Sequence, residues 1–149
     1  YILQKFPEIH FLFIGRANSS NIFVRELQSG TFKNAIFEKE KEFSEIKYCI
    51  QGADFCFLFK DNSINGNSIS SHKMLQYLSQ GKPVFCSQLS QHENINDLLY
   101  MNNNKEEIEK LLRNFITKGE NGLLKEKRVA YAKSHSFDLI LKKIENYLN

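Results

Sequence analysis

The residue types that could do chemistry are concentrated in one stretch: Ser68-Ile69-Ser70-Ser71-His72-Lys73-Met74-Leu75-Gln76-Tyr77-Leu78-Ser79-Gln80-Gly81-Lys82-Pro83-Val84. Met74, Leu75 and Leu78 recur at helical spacing, so the serines open a helix and Gly81 stops it. The first-turn N–H groups of a helix have no partner inside it, and the helix dipole adds positive potential there. A phosphate or diphosphate is the ligand such an end suits. Lys73 falls within that first turn, where a positive charge opposes the dipole unless an anion offsets both. The competing reading is ordinary capping by Ser70 or Ser71 beside a solvated lysine.

Strands and helices must alternate to hold this stretch. Ile9–Ile14 and Asp54–Phe59 are short continuous apolar runs, the pattern of strands buried on both faces in a helix-covered parallel sheet. Asn34–Phe37 and Pro83–Cys86 are shorter candidates, with Pro83 tolerated at a strand start. Helical periods separate them: Asn21–Gln28 before Gly30, and Phe43, Ile46 and Ile50 before Gly52. After residue 100 three apolar stripes follow: Ile108, Leu111, Leu112 and Phe115; then Leu123, Leu124 and Val129; then Phe137, Ile140, Leu141, Ile144, Tyr147 and Leu148. Asp61–Asn67, with an Asn65-Gly66 turn, and Met101–Asn104 read as loops. The charged run Glu38–Glu45 reads as a solvated helix start. The order predicts an α/β domain: a Rossmann-like, doubly wound parallel sheet of about five strands with a C-terminal helical tail. In such sheets ligands bind at the carboxyl ends of the strands, so the loop between Lys60 and Ser71 is the expected site.

The 149 residues suit one domain with a sizeable core. A formal charge of +3, from 20 basic and 17 acidic residues, with scattered lysines, argues against a nucleic-acid partner. No apolar run approaches the roughly 18 residues of a membrane span. Cys49, Cys56 and Cys86 form no CxxC pair and read as reduced core thiols of a cytoplasmic protein. His10 falls in a strand run, His72 at a helix start and His92-Glu93 in a loop; with His135 they show no metal-ligand spacing. No GxGxxG, GxSxG or Walker loop occurs.

The "SxK…QYLxxGKPV" text resembles the "K…EYLAxGKPV" of the nucleotide-sugar-binding half of GT-B glycosyltransferases, the large retaining group 1 family in particular. Phe6-Pro7-Glu8-Ile9-His10-Phe11-Leu12-Phe13-Ile14-Gly15 resembles the family's "PxxxFxIxG" element. Asn34-Ala35-Ile36-Phe37 resembles "VxFxG", and Ile46 to Asp54 resembles the helix ending "Y…AD". Ser134-His135-Ser136-Phe137 is similar to the "SW" opening of the last helix. These matches run in order along nearly the whole chain.

The resemblance implies a donor site in which Ser68, Ser70, Ser71 and Lys73 lie near the diphosphate. It also implies that Gln76 accepts from the ribose hydroxyls, that Gly15 ends a strand beside the nucleotide, and that Phe37–Lys39 faces the base. Lys82 and Pro83 read as connectors rather than ligands. It implies a nucleoside-diphosphate sugar as substrate, no resident cofactor or metal, and an acceptor in surface polysaccharide or lipopolysaccharide synthesis. Retaining members often carry two glutamates where this chain has Ser68 and Gln76, so no catalytic residue is assigned. A full half of this kind also has an earlier strand with a "G…KG" loop, and Tyr1–Lys5 reads as the tail of the helix after it. The expected partner is the acceptor-binding N-terminal half of the same parent chain, which leaves room for peripheral membrane association through that half. Two other readings stay open: a nucleotide-sugar epimerase of the same shape, and a non-catalytic α/β nucleotide-binding or assembly module.

Overall fold

Short runs rich in Phe and other apolar residues pair in parallel in both sheets of the described chain. The computed structural model describes residues 1–16, 20–59, 71–88 and 93–148. It divides into two compact units, Tyr1–Ile46 and Lys47–Asn149.

In the first unit, α1 (Ile2–Lys5), β1 (Phe11–Ile14), α2 (Ile22–Gln28) and β2 (Ala35–Glu38) follow one another. β1 and β2 pair in parallel with Leu12 opposite Ile36 and Phe13 opposite Phe37. The Phe13 ring meets Phe23 of α2 edge-on at 5.6 Å, so α2 covers the phenylalanine face. Leu12 and Ile36, on the other face, keep 50% and 54% exposure. Burial on both faces, expected of a continuous apolar run, therefore fails in this unit. The Asn34 amide donates to the carbonyls of Leu3 (2.9 Å) and Phe6 (3.0 Å), satisfying acceptors at the end of α1. Two expectations are corrected here. His10 stands exposed ahead of β1 rather than within it. Glu38 belongs to β2, and the next helix begins only at Phe43, so Glu38–Glu45 is not a single helix start.

α3 (Phe43–Gly52) leads into the second unit, its Ile50 buried and its Phe43 exposed. There β3 (Cys56–Leu58), β4 (Val84–Cys86) and β5 (Tyr100–Met101) form a parallel sheet in that order. All three residues of β4 are buried. Val84 and Cys86 join Met74 and Leu78 of α4 (Ser71–Ser79) in one core cluster. Phe85 points the other way, with ring centroids 5.7 Å from Phe115 of α5 (Lys105–Lys118) and 4.6 Å from Tyr100. Helices thus cover this sheet on both sides, the layering that the alternating pattern predicts. α6 (Gly122–Ser134) and α7 (Phe137–Leu148) follow. The expected loop Met101–Asn104 begins one residue late, because Met101 pairs with Cys86 in β5. The α5 stripe is inward as expected, with Ile108 and Leu112 buried. The α6 stripe is not: Leu123 is exposed, and the buried residues are Arg128 and Ala132.

The architecture is therefore α/β with parallel pairing throughout, its five described strands lying in one sheet of two and one of three. Among the described residues, no helix is long and apolar enough to cross a membrane. The expected loop Asp61–Asn67 lies outside the described residues.

Candidate functional site

α4 is built to lie on its sheet. Met74 and Leu78, four residues apart, occupy one face and are buried at 1% and 0% exposure. His72 and Lys73 are exposed on its first turn, and Gln76 is half-buried. The link from Ser79 to Val84 is short, and the Cys56 N–H donates to the Pro83 carbonyl at 2.9 Å, so the carboxyl end of α4 sits at the amino edge of the sheet. A helix lying along parallel strands from that edge directs its amino end to their carboxyl edge.

Gly81 makes this link feasible. Its φ is +67°, and a Cβ there would fall 2.6 Å from Cγ of Lys125 on α6. Lys82 is structural, as its sequence context suggests: its ammonium donates to the Gln51 carbonyl at the end of α3 (2.9 Å).

Among the described residues, two α-helices, α4 and α5, follow strands of this sheet, and their amino ends differ in charge. α5 is capped by Asn104, whose side-chain oxygen accepts from Glu106 N–H (2.8 Å) and Glu107 N–H (3.0 Å). Those two glutamates sit in its first turn and already complement the dipole. The first turn of α4 holds no acidic residue and carries Lys73 instead. Of the two ends, only that of α4 is electrostatically suited to an anion.

The residues singled out from the sequence distribute as follows. Lys73 and Gln76 share α4, three positions apart and so on neighbouring parts of its surface. Ser71 is the first residue of that helix. Ser68 and Ser70 lie outside the described residues. Gly15 belongs to the first unit, where its N–H extends the β1–β2 pairing by donating to the Glu38 carbonyl at 3.2 Å. Among the described residues, a Cβ at Gly15 would meet nothing within 4 Å.

Two arginines carry interactions that motif reading missed. Arg16 follows Gly15 and pairs with Glu40 at 2.7 Å, both side chains largely exposed, which makes it a weak contact. The signal available was a basic residue directly after a strand-ending glycine. Arg128 is fully buried and grips Glu120 with both terminal nitrogens, at 2.6 and 2.5 Å. Glu120 also accepts from the Tyr100 hydroxyl at 2.9 Å. Burial pushes that phenol up to about 12, helped by the bond to Glu120 and its charge and opposed by Arg128. No apolar period marks Arg128.

The cysteines divide. Cys56 and Cys86 are buried, and loss of solvation raises their thiols to about 11 and about 12, with Lys82 pulling Cys56 slightly down. Cys49 is only half-buried, which corrects its reading as a core thiol. Among the described residues no His, Cys, Asp and Glu side chains gather in a group that could hold a metal ion.

No protein-family model matches the chain, and no curated protein matches it.

Proposed function

We propose that this chain is the donor-binding half of a glycosyltransferase that moves a sugar from a nucleoside-diphosphate sugar to an acceptor hydroxyl. Surface polysaccharide or lipopolysaccharide is the acceptor class, the cytoplasm the compartment, and the acceptor-binding half of a longer parent chain the partner. The proposal includes a single Rossmann-like, doubly wound sheet of five strands. The observation that carries it is the amino end of α4, which lacks acids, bears exposed Lys73 and follows a parallel strand. The "QYLxxGKPV" text runs along the same helix and its link to β4.

In this reading the first-turn N–H groups of α4 and the Lys73 ammonium hold the diphosphate. They stabilise the negative charge that builds on it as the sugar departs. The Gln76 amide oxygen accepts from a ribose hydroxyl, without the charge a glutamate would bring. No resident metal takes part. Turnover requires the acceptor half to close over both substrates, so the chain alone binds without transferring.

A second reading, a non-catalytic nucleotide-binding or assembly module, is favoured by one observation: Ser68 and Gln76 occupy the positions where retaining transferases often carry glutamates. Calorimetric titration of the folded chain with UDP, GDP and ADP separates the two. The donor reading expects saturable binding of one nucleotide, weakened about tenfold or more by Lys73→Ala and less by Gln76→Ala. Indifference to all three nucleotides, with circular dichroism showing a folded chain, would leave the assembly module.

A further inference from the structure

We propose that Arg128 is a positioning residue that fixes where the amino end of α4 stands at the carboxyl edge of the sheet. One guanidinium joins three segments. Its Nε donates to the Leu98 carbonyl at 2.8 Å, its two terminal nitrogens grip Glu120, and Nη1 lies 3.5 Å from the Gly81 carbonyl. The Gly81 carbonyl belongs to the turn that ends α4, where a positive charge complements the dipole. Lys125, one turn before Arg128 on α6, packs its stem where a Gly81 Cβ would go. The turn that ends α4 therefore meets two residues of α6, Lys125 and Arg128. α4 is only nine residues long, so loss of its stop at Gly81 loosens its hydrogen bonds as far as Lys73 and the first-turn N–H groups. Glu120 holds the arginine in register, and is itself held by the Tyr100 hydroxyl of β5.

This inference rests on the donor reading only for its consequence in binding; the mechanical part is independent of it. Arg128→Lys keeps the charge but loses the planar fork that makes several directed bonds at once. Amide hydrogen exchange is followed in Arg128→Lys at Met74–Leu78 of α4 and Val84–Cys86 of β4, with UDP, GDP and ADP titrated in parallel. The expected result is exchange at least tenfold faster in α4 with β4 within twofold of wild type, and about tenfold weaker affinity for whichever nucleotide binds. Equal acceleration in both elements would reduce Arg128 to general stability and overturn the proposal, as would unchanged exchange in α4. If wild type binds no nucleotide, the donor reading fails, while the exchange comparison still decides the role of Arg128. Should Arg128→Lys not fold, Glu120→Gln keeps the guanidinium and its carbonyl contacts while loosening the grip, and is held to the same comparison.

Discussion

The two units are written in the same kind of text, short runs of Phe, Ile and Leu, yet they bury it differently. In Tyr1–Ile46 the described strands β1 and β2 pair with each other, and helix α2 covers one face; Leu12 and Ile36 stay half-exposed opposite each other. In Lys47–Asn149 strand β4 has a partner on each side, α4 against Val84 and Cys86, and α5 against Phe85. An apolar run specifies a strand, but the number of neighbours specifies how much of it leaves water. The candidate chemistry follows the same division. The exposed Arg16–Glu40 pair at the end of β1 is held loosely, whereas Arg128 and Glu120 in the second unit are held by several directed bonds each.

Truncation tests this contrast most severely. Phe85→Ala, which empties the centre of the aromatic cluster, should cost about 3–5 kcal/mol in denaturant unfolding. Leu12→Ala, an equally apolar position in the first unit, should cost under about 1 kcal/mol because much of the side chain is already in water. Comparable losses at the two positions would break the comparison.

A smaller effect sharpens it through pH. The Tyr100 phenol titrates near 10 when unfolded and at about 12 in the folded chain. Between those values the unfolded chain binds fewer protons, so the contribution is complete below pH 10 and is lost as pH rises towards 12. Tyr100→Phe should lower stability by about 1 kcal/mol at neutral pH through the lost bond to Glu120. It should also flatten the decline between pH 10 and 12 relative to wild type. A mutant and wild type with parallel profiles in that window would remove Tyr100 from the network.

Thiol labelling measures the least energy but samples the buried face of β3 and β4. With thiols raised to about 11 and about 12, Cys56 and Cys86 present on the order of a thousandth of their population or less as thiolate at pH 8. A disulfide reagent should therefore modify Cys49 first in the native chain and reach all three cysteines only after denaturation. Rapid labelling of Cys86 would show that β4 is less enclosed than its neighbours indicate.

Much of this was legible in residue order. Glycine stops and apolar periods located α3 and α4 to within a residue or two, and the stripe Ile108–Phe115 marked only the middle of α5, since helix ends need special backbone and helix faces need burial. β5 was not legible: two residues, Tyr100 and Met101, are too few to show a period, and they become a strand only because β4 offers an open edge. The inward face of α6 was misjudged for a related reason. Leu123 and Val129 drew the reading, but the buried position belongs to Arg128, and an arginine can be buried only where Glu120 and two carbonyls are waiting.

By itself the chain's order determined that parallel strands alternate with helices, and that a serine- and lysine-bearing helix start follows one of them. Those properties depend on spacing along the backbone, which local sterics and burial translate directly. Only the tertiary structure decided which strands are enclosed, why Gly81 must be glycine, and that Arg128 braces the far end of α4. Each of these depends on what another segment brings to within a few ångströms, and no spacing in the sequence encodes that distance.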